Sequence, residues 1–122
     1  MKSLLFVLLL APAFVANDTN MNNIVSAISR GDADALGTYF ASDVELAIGN
    51  DEGTYGKAEA TSIVKQFFTT VSPKGFSQVH AGASKGNGSK YCIGDMATSS
   101  GVYRVYIYMT DTVIEEFRAD KT

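Results

Sequence analysis

The hydrophobic period of this chain changes once, and that change limits the folds open to it. Before Pro73 the apolar residues recur at helical spacing; from Phe76 onward they alternate residue by residue. Helical segments first and strands afterwards predict an α+β fold, with the helices packed on one face of an antiparallel sheet.

Asn22 to Ser29 carries Ile24, Val25 and Ile28 on one side, a helical pattern. Gly31 is placed to end that helix, and Asp32 to cap the next, from about Ala33 to Phe40, which presents Leu36, Tyr39 and Phe40. Val44 to Ile48 alternates as a half-buried strand, Asn50 to Gly53 turns, and Thr54-Tyr55 returns. A third helix from about Lys57 to Thr70 is marked by Ile63, Val64, Phe67 and Phe68, all expected to be mostly buried, and Pro73 closes it. Four strands follow: Phe76–Ser84, Ser89–Ser99, Val102–Thr110 and Val113–Ala119. Lys85-Gly86-Asn87-Gly88, Ser100-Gly101 and Asp111-Thr112 make the turns between them.

The N-terminus reads as an export signal. Lys2 supplies a positive start, Leu4 to Leu10 is unbroken apolar sequence, and Ala11-Pro12-Ala13 has the small-x-small form that a signal peptidase cuts. Ala16 is a second cleavage point, disfavoured because Phe14 would occupy its −3 position. The apolar run is shorter than the about 18–20 residues that a spanning helix needs. The expectation is a signal peptide over 1–13 and one domain over 14–122, periplasmic or secreted, with no membrane attachment after cleavage.

Ten basic residues stand against thirteen acidic ones, and the basic residues are scattered, which argues against a nucleic-acid partner. Cys92 is the only cysteine, so no intramolecular disulfide forms.

Ala27-Ile28-Ser29-Arg30-Gly31-Asp32-Ala33-Asp34-Ala35-Leu36, followed by Tyr39-Phe40-Ala41-Ser42-Asp43-Val44-Glu45-Leu46, resembles the opening of the nuclear-transport-factor-2-like superfamily. That resemblance implies a cystatin-like cone: N-terminal helices packed on a curved four-stranded sheet around a pocket. More narrowly, Tyr55-Gly56-Lys57-Ala58, Val79-His80-Ala81-Gly82, Tyr91-Cys92-Ile93-Gly94 and Tyr103-Arg104-Val105-Tyr106 look like a family of exported Bacteroidetes proteins of unknown function. Ketosteroid isomerase, a member of the superfamily, uses an aspartate base and a tyrosine in its oxyanion hole. Aligned on the Gly31-Asp32 and Phe40-Ala41-x-Asp43 landmarks, those positions hold Ile48 and Ile24 here, and neither side chain transfers a proton.

Candidate site residues follow from the strands. His80, the only histidine, lies mid-strand, and by parity it groups with Phe76 and Gln78 unless a bulge intervenes. With a carboxylate such as Asp43 or Asp95 it would serve a lyase- or isomerase-type enzyme, and otherwise it is a histidine hydrogen-bonded within the sheet. Asp43 also reads as a junction residue bonding backbone amides. Arg104, Tyr106 and Tyr108 share one face; Ile114, Glu116 and Arg118 share a face of the last strand. Pairing of the two would make an Arg–Glu–Arg cluster, either a site for an anionic or planar ligand or a surface ion pair. The expected ligand-binding set is therefore Tyr39, His80, Arg104, Tyr106, Glu116 and Arg118. One histidine and one cysteine on separate strands make no metal set, and no cofactor is implied. Aromatic bulk on both faces of Val102–Met109 predicts a homodimer through the outer face of the sheet. The favoured reading is an exported non-catalytic module that binds a small molecule in its cone or a protein on its sheet. The pocket enzyme built on His80 is the alternative.

Overall fold

A computed structural model describes residues 18–84, 86 and 88–122. The export segment with both cleavage points lies outside the described residues, as do Lys85 and Asn87 of the hairpin loop. Helix α1 (Thr19–Ser29) begins a turn earlier than its apolar spacing suggests, because the Asp18 carboxylate accepts from the Met21 amide at 3.1 Å and caps it. At its other end Gly31 takes φ +70°, while the Asp32 amide reaches back to the Ala27 carbonyl and the Gly31 amide to that of Ile28. Those two bonds satisfy the Ala27 and Ile28 carbonyls at the helix end. Asp32 then caps the short α2 (Ala33–Gly37) through the Ala35 amide, at 3.0 Å.

Strand β1 (Phe40–Ile48) claims Phe40 and Asp43, both expected before the strand. Ile114 donates its amide to the Tyr39 carbonyl, so pairing with the last strand draws the chain into extended form immediately after α2. The turn is confined to Gly49-Asn50, and β2 (Asp51–Gly56) is correspondingly longer than Thr54-Tyr55. Helix α3 (Lys57–Val71) ends at Ser72 in the left-handed region, and β3 (Pro73–Ala83) starts at Pro73 itself. Strands β4 (Ser89–Thr98), β5 (Gly101–Thr110) and β6 (Val113–Lys121) complete the meander.

The sheet has six strands in the order β2-β1-β6-β5-β4-β3, rather than the four that the resemblance implied, because β1 and β2 add to it. All neighbours are antiparallel except β1 and β6. The helices cover one face. Ile24 and Ile28 of α1 and Val64 and Phe68 of α3 are buried together with Val105, Ile107 and Phe117 of the sheet. Ile63 and Phe67 are only half-buried, so the core stripe of α3 is narrower than expected. Phe67 lies at the edge of that stripe and meets Tyr103 edge to face, with centroids 5.2 Å apart.

Candidate functional site

Two bulges decide which side chains face outward. In β3 the pairing shifts between Gln78 and His80, leaving Val79 without an opposite number. His80 consequently lies across from Ile93 and sits on the outer face, opposite in sense to Phe76 and Gln78, with which strict parity had grouped it. In β6 the pairing shifts between Ile114 and Glu116, which turns Ile114 into the core while Glu116 and Arg118 stay outside. Ile114 thus does not share their face.

The outer face has two unlike halves. Over β3, β4 and β5 it carries His80, Tyr91, Ile93, Tyr106 and Tyr108, none of them fully buried. The His80 and Tyr91 rings are 5.7 Å apart, and those of Tyr91 and Tyr106 6.4 Å apart at 30°. Burial and the neighbouring Glu116 charge raise the Tyr106 phenol above its ordinary value, so it stays a neutral donor. Over β6, β1 and β2 the same face is acidic, with Glu45, Glu52 and Glu116 around Arg118 in a shallow depression of about 300 Å³.

The predicted Arg–Glu–Arg cluster does not form. Arg104 lies opposite Asp95 on β4 and bonds it through Nε at 2.7 Å, whereas Arg118 bonds Glu116 at 2.9 Å. Tyr108, not Arg104, stands opposite Glu116, so register separates the two pairs. That bond holds the Arg118 guanidinium above its ordinary value.

His80 meets no carboxylate in the way a general base needs. Asp95 is taken by Arg104. Asp43 is an exposed residue within β1, paired with Gly56, and not a junction residue. Three strands lie between β1 and β3, roughly 19 Å at ~4.8 Å per strand. Tyr39 is also apart from the outer face: half-buried after α2, it accepts a hydrogen bond from the Asn23 amide at 3.2 Å. Of the six expected ligand-binding residues, the fold thus gathers His80, Arg104, Tyr106, Glu116 and Arg118 on one face and leaves Tyr39 behind.

Inside the cone, buried side chains of the helices and the sheet form one cluster. What opens instead is a cleft of about 580 Å³ at its rim, between the start of α1 and the inner side of β3 and β4. Asp18, Met21, Asn22, Gln78, Ala81 and Lys90 are among its lining residues. Lys90 bonds Asp18 at 2.7 Å. Burial pushes the Asp18 carboxyl up, but the Lys90 ammonium and the Met21 amide outweigh it, and the net value falls below the ordinary carboxylate range. Nothing in the sequence joins these partners, which are 72 residues apart. Among the described residues no group of three or more His, Cys, Asp or Glu is placed to hold a metal.

This architecture is a cone-shaped α+β fold of the nuclear-transport-factor-2-like kind. The chain belongs to the family described as "Domain of unknown function (DUF4783)", which it matches over residues 21–118. It is similar to the structure of a DUF4783 family protein from Bacteroides ovatus at 28% identity and a TM-score of 0.76, over 82% of this chain and 93% of that one. A DUF4783 family protein from Bacteroides uniformis matches at 28% and 0.77, over 83% and 95%. An NTF2-like protein of unknown function from Cytophaga hutchinsonii shares the fold at 7% identity and a TM-score of 0.60, over 82% and 84%. Comparison with curated proteins finds no match.

Proposed function

We propose that this protein is an exported, non-catalytic binding module that acts through the outer face of its sheet, as a homodimer joined across β4 and β5. The observation that carries this reading is the half-buried cluster of Tyr91, Ile93, Tyr106 and Tyr108 on that face, with His80 exposed beside it. Removing one such ring from water yields roughly 1.5–3 kcal/mol when burial is complete, and tyrosine suits a contact that is apolar at its centre and wet at its rim. Arg104 and Asp95 neutralise each other there, so a two-fold contact brings no net like charge together. The acidic half lies to one side of it.

His80 stands in the open, with Asp95 engaged elsewhere and Asp43 remote, which favours binding over proton transfer. A small molecule at the rim cleft is a second reading, favoured by the size of that opening and its mixed lining of Met21, Gln78 and the Asp18–Lys90 pair. Sedimentation of the purified mature protein tests the first: the parent runs as a dimer at micromolar concentration and Tyr106→Lys runs smaller. Equal masses for the two would defeat it. For export, N-terminal sequencing of the natively produced protein is expected to begin at Phe14; a chain still starting at Met1 would refute that part.

A further inference from the structure

The rim cleft of about 580 Å³ lies between the start of α1 and the inner side of β3 and β4. Strand pairing orders its floor: Ala83 stands opposite Lys90, Ala81 opposite Cys92 and Gln78 opposite Gly94. Gln78 and Lys90 therefore mark two ends roughly 14 Å apart, at ~3.4 Å per residue. The methyl groups of Ala81 and Ala83 and the thioether of Met21 give the cleft an apolar surface. At the far end the Cys92 thiol reaches the Gln78 carboxamide oxygen, 3.9 Å away. Asp18 and Lys90 are the only charged residues of the lining.

Those two charges are not equally engaged. Asp18 accepts from the Met21 amide through Oδ1 at 3.1 Å and from Lys90 through Oδ2 at 2.7 Å. An ammonium carries three N–H donors, and Lys90 directs one of them at Asp18. A cationic ligand would have to compete with Lys90 for the residue that caps α1, whereas an anion finds a cation with donors to spare. The Lys90 side chain is only 24% exposed, which strengthens a charge-assisted bond relative to one at the open surface. We infer that the cleft takes a small monocarboxylate with an apolar body, its carboxylate on Lys90 and its body along Ala83, Ala81 and Met21. This rests on the cleft being a binding site, the second reading above. A second carboxylate would find no further cation there, since Gln78 at the far end is neutral. The net charge of −3 does not forbid an anion: exposed charges are screened beyond about 8 Å at physiological salt, and Asp18 is the one carboxylate of the lining.

The test is a nuclear magnetic resonance titration of the isotope-labelled mature protein with octanoate, octanol and octylammonium up to millimolar concentration. Octanoate is expected to shift the Met21, Ala81, Ala83 and Lys90 amides saturably, and octanol to bind roughly tenfold more weakly, the scale of one charge-assisted bond. Lys90→Met keeps the apolar stem and should lower octanoate affinity by about the same factor while leaving that of octanol unchanged. Asp18→Asn retains a cap on α1, releases Lys90 from its partner and should raise octanoate affinity severalfold. Tighter binding of octylammonium than of octanoate would overturn the inference, as would binding lost in Asp18→Asn and kept in Lys90→Met. Equal affinity for all three probes, indifferent to Lys90→Met but abolished by Ala81→Trp, would overturn the carboxylate and leave the cleft as a site. No shift at these residues with any probe would overturn both.

Discussion

Replacing Gly94 by alanine probes the packing that sets which way His80 points. Gly94 is buried in β4, facing Gln78 on one side and Val105 on the other. A methyl group there would lie 2.3 Å from Cζ of Phe76 and 2.7 Å from the carbonyl oxygen of Ser77. The half-buried Phe76 ring has room to swing. The Ser77 carbonyl does not: it is the main chain of β3 immediately before the Val79 bulge, and it moves only if the strand moves. Overpacking of this kind costs about 1–3 kcal/mol. The lower flexibility of alanine in the unfolded chain returns about 0.5–1 kcal/mol. A net loss of about 1–2 kcal/mol is a sizeable part of the ~5–15 kcal/mol that holds a domain folded. With a urea slope of ~1–3 kcal/mol per molar, the midpoint should fall by about 0.3–2 M at an unchanged slope. Circular dichroism reads it directly, the chain having no tryptophan. An unchanged or higher midpoint would mean that β3 does not approach β4 as described, and the outward placement of His80 would fall with it.

Phe68→Ala should cost about 3–5 kcal/mol as a fully buried phenylalanine, and the half-buried Phe67→Ala about 1–3 kcal/mol, less than its place in the sequence pattern suggests; urea unfolding giving the reverse order refutes the assigned face of α3. The depressed Asp18 carboxyl contributes stability that is fully present above its ordinary value of 3.8 and is lost as pH falls through the lower folded value. Asp18→Asn should therefore flatten the acid limb of stability against pH, and parallel limbs for parent and variant would refute the pairing with Lys90. Cys92, fully buried with its thiol pushed up by burial, should react with a thiol reagent only after denaturant is added. Rapid labelling of the folded protein would contradict its placement.

The local part of the fold was legible for local reasons. Asp32 and Gly31 stand where a cap and a helix stop must stand, and both serve as read. The alternation of Val102 to Met109 places Val105, Ile107 and Met109 inward, where all three are fully buried. Non-local pairing escaped that reading. Nothing around Phe40 announces a strand, since its extended conformation comes from bonding to β6 far along the chain. Likewise the Asp18–Lys90 pair leaves no spacing to notice.

The candidate site divides in the same way. Residue types and the order of elements were determined by the sequence alone: one histidine, tyrosines dense on neighbouring strands, no base or oxyanion tyrosine at Ile48 and Ile24, and helices ahead of a sheet. Which of those residues meet was decided by the tertiary structure. A single unmatched residue, Val79, turned His80 to the outer face, and a second irregularity before Glu116 parted it from Ile114. Register across β4, β5 and β6 gave Arg104 to Asp95 and Arg118 to Glu116. The physical reason is that side chains on a strand alternate with period two, so one extra residue reverses the face of everything beyond it. Where that residue falls depends on packing against distant strands such as β4 at Gly94, and no local pattern in the chain records it.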